Sequence, residues 1–275
     1  MVSNGGRITY NRINIQQYLN DHSVYALVHA AQKLKQVEPL DKRIIRLSDT
    51  PVGFGDIVDE LEPAMFDSPL PVQHTHSYFE DDELGLYVGV WDTTSMTEVA
   101  GPYACDEFMW LLQGEVGIRN NKTGVVESVR AGEAFVIPRG YDCQWQQSGY
   151  LHKFFVIYEP PGESPSGLAP AKGIIRAQLS RDIDLQAGPH KSVSYRSGGG
   201  RFSTDSWQVG AFESEAKSKP YHQFIYIVEG CLCAKDDGGV EHSFEAGAAA
   251  FFPQGVLSSW SSPSRLGILA VKVRA

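Results

Sequence analysis

The chain is poor in cysteine, in basic charge and in long apolar runs. Only four of its 275 residues are cysteine (Cys105, Cys143, Cys231 and Cys233), and no two make a CxxC pair. A disulfide framework is therefore not expected, and reduced thiols in a cytoplasm fit best. Lys and Arg total 24 against 33 Asp and Glu, a net charge of −9 with a pI near 5.4. Nucleic acid and anionic membrane surfaces both need clustered Lys and Arg, so neither is an expected partner. No apolar run approaches the roughly 18 residues needed to span a bilayer. The opening stretch, MVSNGGRITYNRINIQQYLN, has no uninterrupted apolar core of signal-peptide type, so a cytoplasmic protein is the expectation.

What the chain does have is a long internal repeat. Trp91, Glu107, Phe108 and Gly114 recur 116 residues later as Trp207, Gln223, Phe224 and Gly230. Gly132, Pro138, Gly140 and Trp145 recur 115 residues later as Gly247, Pro253, Gly255 and Trp260. Two copies are too few for a solenoid, so two like domains in tandem are expected.

Local patterns divide the chain further. Ile15, Leu19, Leu27, Ala31 and Leu34 fall at helical spacing and predict a helix over 12–36, within an N-terminal arm of 1–42. From 43 to 158 short alternating runs such as LGLYVGVW and FMWLLQGEVGI are separated by Gly, Pro, Asn and Asp. That is the pattern of an all-β barrel or sandwich. Residues 159–173 are rich in Pro, Gly and Ser and read as a linker, and 174–275 repeat the strand pattern.

The block from Gly132 to Gly140 is a glycine, five residues, then Pro-x-Gly, and Gly247 to Gly255 matches it position for position. Upstream, Glu107 and Gln223 each precede a glycine by the same interval. These paired motifs resemble the two signature motifs of the cupin superfamily. Within it, DEFMWLLQGEV and AGEAFVIPRGYDCQW look like the ethanolamine-utilisation, EutQ-like branch. The resemblance implies a bicupin: two small double-stranded jelly-roll barrels, often with one pocket each. A homodimer formed through barrel edges or the N-terminal arm is also expected.

The resemblance implies a metal site as well, and the residues do not supply it. A metal-binding cupin uses His-x-His before the glutamate, the glutamate, and a histidine three residues after Pro-x-Gly. In the first repeat the window 100–103 reads Ala, Gly, Pro, Tyr; Glu107 is kept; the last histidine is Cys143. In the second the window 216–219 reads Ala, Lys, Ser, Lys, with Gln223 and Ser258 at the other two positions. No metal cofactor is therefore expected in either barrel. An alternative ligand set is His74, His76 and Glu107, since His74 and His76 lie two apart and share a strand face.

By alternation Glu107 shares a face with Met109 and Leu111, and the resemblance turns that face inward. A lone carboxylate there could act as general acid or base, or be a bonded structural group. Tyr103 lies in the lost His window, and Lys153 could pair with Glu107 or hold an anion. Cys143 and Trp145 alternate onto one face, where the tryptophan offers a flat apolar wall to a planar ligand. The leading expectation is a small organic metabolite bound in the first barrel by Met109, Cys143 and Trp145. Glu107, Tyr103 and Lys153 would then serve a metal-independent lyase, dehydratase or isomerase. The alternatives are a non-enzymatic binding or scaffold bicupin, and a metal-dependent oxygenase or hydrolase. The second barrel is expected to be degenerate and structural.

Overall fold

A computed structural model describes residues 43–163 and 171–275. The helix expected over 12–36 lies outside them, as does part of the linker. Apart from two 3₁₀ turns, Pro63–Met65 and Leu185–Ala187, the regular structure in these residues is all strand, in four antiparallel sheets.

Each repeat builds one six-stranded and one five-stranded sheet facing each other, the double-stranded jelly roll expected from the sequence. In the first barrel the larger sheet runs Ile175–Ala177, Ala134–Ile137, Asp106–Gln113, Leu151–Tyr158, Leu86–Thr93, Gln73–Asp81. The smaller is built on Asp142–Gln147 and Glu115–Asn120. The second barrel repeats this order with Ile45–Leu47, Ala249–Phe252, His222–Glu229, Leu266–Val273, Phe202–Val209 and His190–Arg196.

Period-2 alternation decides what each strand does. In Asp106–Gln113, Met109 and Leu111 point into the first barrel, packing with Ile118, Phe135 and Trp145. Phe108 and Trp110 point the other way, into a core shared by both barrels. All eight positions of Leu151–Tyr158 and of Leu266–Val273 are buried, because each strand is covered on both faces. That is why FFVIY and ILAV read as unbroken apolar runs rather than alternating ones.

The shared core is self-complementary. Trp110 stacks on Tyr226 with ring centroids 3.8 Å apart, and Phe108 meets Phe224 at 5.7 Å. Each residue packs on its own counterpart, 116 positions along the chain, as residues on a two-fold axis must. The barrels also exchange strands. Ile45–Leu47, from the start of the first repeat, pairs with Ala249–Phe252 of the second. Ile175–Ala177, from the start of the second, pairs with Ala134–Ile137 of the first. Arg176 fixes one exchanged strand by a bond to Ser128 O at 2.5 Å and an ion pair with Glu133 at 3.3 Å. Arg46 fixes the other, bonding Ser243 O and lying 4.3 Å from the Phe244 ring centroid.

The repeated glycines have a steric cause. Gly114 and Gly230 adopt φ of +87° and +82°, and a Cβ would come within 2.3 Å of Tyr150 O and 2.0 Å of Arg265 O respectively. Only glycine fits such a left-handed turn pressed against a neighbouring backbone. The Pro-x-Gly corners close alike: Tyr141 N bonds Pro138 O and Val256 N bonds Pro253 O.

Candidate functional site

The interior of the first barrel holds one polar knot in an apolar lining. Glu107 is 3% exposed and Lys153 6%. Lys153 lies opposite Leu111 on the neighbouring strand, just past an irregularity in the register at His152. From there its side chain runs along the barrel to Glu107. Its Nζ donates to Glu107 Oε1 at 2.7 Å and lies 3.2 Å from Met109 Sδ. The ammonium also sits 4.6 Å from the Trp91 ring centroid and 4.9 Å from that of Trp145, a cation between two aromatic faces. The two rings meet edge to face at 6.2 Å.

Tyr103 completes the knot, donating its hydroxyl to Glu107 Oε2. The Pro-x-Gly corner positions it: Tyr103 N bonds Tyr141 O at 2.9 Å and Gly140 N bonds Tyr103 O at 2.7 Å. Burial, reinforced by the Glu107 charge, pushes the Tyr103 hydroxyl well above the ordinary tyrosine range, so it stays a donor. Glu107, Tyr103, Lys153, Met109 and Trp145 thus come together. Cys143 lies in the same lining and is buried; burial, then Glu98 and Asp142, push its thiol up, away from the thiolate form.

One member of the site was not among the sequence candidates. Glu98 is partly buried on the segment leading to Tyr103, its backbone N–H bonded to Trp145 O at 3.0 Å. Burial pushes its carboxyl up to about 7; the nearby Lys153 cation pulls it down, and the Glu107 charge adds to the rise. Glu98 thus feels the charges of both Lys153 and Glu107 and is poised to exchange a proton near neutrality.

The histidines go elsewhere. His74 Nδ1 lies 2.7 Å from Asp92 Oδ1, and that carboxylate also accepts from Tyr150 at 2.9 Å. His76 packs edge to face on Tyr78 at 4.6 Å. His152 stacks on Phe54 at 5.5 Å, and His222 packs against Phe79 and Phe251 of the shared core, on the opposite face of its strand from Gln223. Among the described residues no group of three or more His, Cys, Asp or Glu is placed to hold a metal ion. The set of His74, His76 and Glu107 is not assembled, because His74 and His76 sit on the edge strand Gln73–Asp81 and find partners there. The metal commonly held by cupins thus does not fit the donors present. Elemental analysis of the purified protein is expected to find no stoichiometric iron, manganese or zinc. About one ion per chain, lost in a His74→Ala/His76→Ala double variant, would reverse that expectation.

The second barrel keeps the frame and changes the residues. Lys219 stands where Tyr103 does, Gln223 for Glu107, Ser258 for Cys143 and Trp260 for Trp145. Lys219 Nζ donates to Gln223 Oε1 at 2.6 Å, and Trp260 Nε1 donates to Ser258 at 3.1 Å.

Comparison with known proteins agrees with this architecture. Residues 196–264, in the second barrel, match the EutQ-like cupin domain family. No curated protein matches the chain. Among solved structures, a protein of unknown function from Pseudomonas syringae pv. tomato superposes with a TM-score of 0.61 at 16% identity, covering 85% of this chain and 100% of that one. A cupin 2 conserved barrel domain protein from Leptotrichia buccalis gives 0.57 at 9% identity, with 74% and 89% covered. A variant of salicylate 1,2-dioxygenase from Pseudoaminobacter salicylatoxidans gives 0.52 at 11%, with 72% and 75% covered. At these identities the likeness is one of fold.

Proposed function

We propose that this chain, with two cupin-like barrels of which the second matches the EutQ-like cupin domain family, binds a small organic metabolite in its first barrel and converts it by metal-independent acid–base chemistry. The observation that carries the reading is the buried, bonded knot of Glu107, Lys153 and Tyr103, whose charges are felt by Glu98, a carboxyl pushed up to about 7. A general acid–base group works best when its pKa lies near the working pH. Glu98 meets that condition; Glu107, engaged by two donors, serves to hold Lys153 and Tyr103 in place. Lys153, with N–H groups to spare, presents a cation to negative charge developing on the substrate, while the single Tyr103 O–H stays on Glu107. In a lyase, dehydratase or isomerase, Glu98 would take a proton from substrate carbon. It would then return that proton to carbon or to a departing hydroxyl. Trp91 and Trp145 flank the Lys153 ammonium with two aromatic faces.

A second reading has its own support. Glu107 is bonded inside the protein on both oxygens, as a non-enzymatic binding or scaffold bicupin would have it. Incubation with small hydroxy- and keto-acids in D₂O, followed by proton NMR, separates the two. The enzymatic reading expects deuterium to enter a carbon position of at least one acid, with the exchange lost in Glu98→Gln. A ligand that binds with no exchange moves the protein to the binding reading. Exchange that survives Glu98→Gln unchanged removes Glu98 from the chemistry.

A further inference from the structure

The second barrel is not an eroded copy of the first; its charge is inverted. Lys219 Nζ lies 3.3 Å from the Trp260 ring centroid and 5.4 Å from that of Phe252, with the uncharged Gln223 amide as its hydrogen-bond acceptor. Among the described residues no carboxylate lies within 4.0 Å of that nitrogen. Nearby, Lys272 Nζ binds Asp205 Oδ2 at 2.5 Å, and the more exposed Lys191 reaches the same oxygen at 3.6 Å. Lys272 and Arg274 lie 5.6 Å and 5.7 Å from the Tyr221 ring centroid. The edge strands beside them add Glu213 and Lys217, both exposed.

Asp205 and Lys272 are accommodated by a change in volume. At the equivalent of Asp205 the first barrel has Gly89, whose missing Cβ space is filled by the Phe155 ring at 2.5 Å. The equivalent of Phe155 is Ala270, and that of Lys272 is Ile157. Removing an aromatic ring makes room for a buried carboxylate and its lysine. Lys191 and Lys272 bond the one buried acid, Asp205, Lys219 feels the charges of both Lys272 and Asp205, and Arg274 shares the Tyr221 ring with Lys272, in a chain whose net charge is −9. Such a local excess attracts small anions against the overall field.

We propose that the mouth of the second barrel is a binding site for a small oxyanion, held by Lys219 and Lys272. The site is independent of the chemistry assigned to the first barrel. Burial, with Lys272 adding and Asp205 opposing, lowers Lys219 to about 7. In the free protein much of Lys219 is therefore uncharged above neutrality. A bound anion stabilises the ammonium, raises its pKa, and draws in a proton. Affinity must then fall as pH rises through 7, and binding above that pH must be accompanied by proton uptake.

Calorimetric titration of the full chain at constant ionic strength tests this, with sodium oxalate and sodium sulfate as probes. Measurements at pH 6 and pH 8, in two buffers of different ionisation enthalpy, read affinity and proton uptake together. Saturable binding is expected for at least one probe, tighter at pH 6, with up to one proton taken up per anion at pH 8. Preference for oxalate assigns a carboxylate ligand, and preference for sulfate a tetrahedral oxyanion. Lys219→Gln is expected to weaken binding about tenfold, the loss of one charge-assisted bond, and to abolish the uptake. Lys219→Arg keeps the charge, so it should keep binding and lose only the uptake. The exposed Lys235→Gln, on the same barrel, should change neither. Lack of saturable binding of both probes up to about 10 mM, an affinity too weak for a built site, overturns the proposal. So does a Lys219→Gln protein that binds with wild-type affinity and proton uptake.

Discussion

Glu107→Gln is expected to destabilise the first barrel by about 3–5 kcal/mol, the usual cost of stripping one partner from a buried ion pair. The side chains of Lys153 and Glu107 are 7% and 4% exposed, so neither can turn to water when the other is lost. The variant keeps the shape of the glutamate and one acceptor oxygen. It leaves the Lys153 ammonium among Trp91, Trp145 and Met109 without its hydrogen-bonded counter-ion, and takes an acceptor oxygen pair of carboxylate type from Tyr103 and Lys153. Cation–π contact with two rings recovers only part of that loss, about 1–2 kcal/mol.

The second barrel contains the same substitution with its compensation. Gln223 faces Lys219, but that lysine is partly exposed and can shed its proton near pH 7. The first barrel has the glutamate because its lysine is sealed in. The double variant Glu107→Gln/Lys153→Met should therefore recover much of the lost stability, since an apolar side chain of similar length needs no counter-ion. Urea denaturation at pH 7 of the wild type, both single variants and the double variant measures the coupling. If Glu107→Gln is as stable as wild type, Lys153 does not depend on Glu107. Glu107 would then be free for the acid–base role that the sequence alone suggests.

How much of this was legible in the sequence depended on whether a residue lay on a repeated strand. Glu107, Met109 and Trp145 alternate within strands whose inward face the repeated motifs mark, Lys153 lies beyond those motifs as a candidate partner for Glu107, and the four do converge. Tyr103 was found because it fills a position of known direction, four residues ahead of Glu107. The strand exchange went unread although the chain carries its signal. Ile44-Ile45-Arg46 and Ile174-Ile175-Arg176 are twins, but they lie 130 residues apart, out of step with the 115–116 of the main repeat. Hydrophobic pattern cannot say which of two like sheets a strand joins. Glu98 had no signal at all: it lies just after the two-residue strand Met96–Thr97 and before the motif window, and only the folded chain brings it beside Lys153. Lys219 lies inside the second window, where the family pattern points to histidines and says nothing of cations.

The last expectation concerns Glu98, and its sign differs from that of Glu107. Glu98→Gln should stabilise the protein at pH 8. An ordinary glutamate titrates at 4.5, whereas in the folded chain Glu98 titrates at about 7. The folded state thus holds this proton more tightly than the unfolded state does. The stability that Glu98 contributes is complete below about pH 4.5 and is lost as pH rises through 7, where a partly buried carboxylate is forced to ionise. Glutamine keeps the shape and never ionises, so the variant is spared that loss. Its advantage over wild type should be near zero below about pH 4.5, grow between pH 5 and 7, and level off at about 2 kcal/mol by pH 8. That figure is less than the full linkage value because solvent reaches part of the side chain. Thermal melts of both proteins from about pH 4 to 8 measure it, and the same Glu98→Gln sample should have lost deuterium exchange with its acid. A variant less stable than wild type at pH 8 would make Glu98 an ionised structural anchor. The acid–base reading of the first barrel would then pass to the binding one.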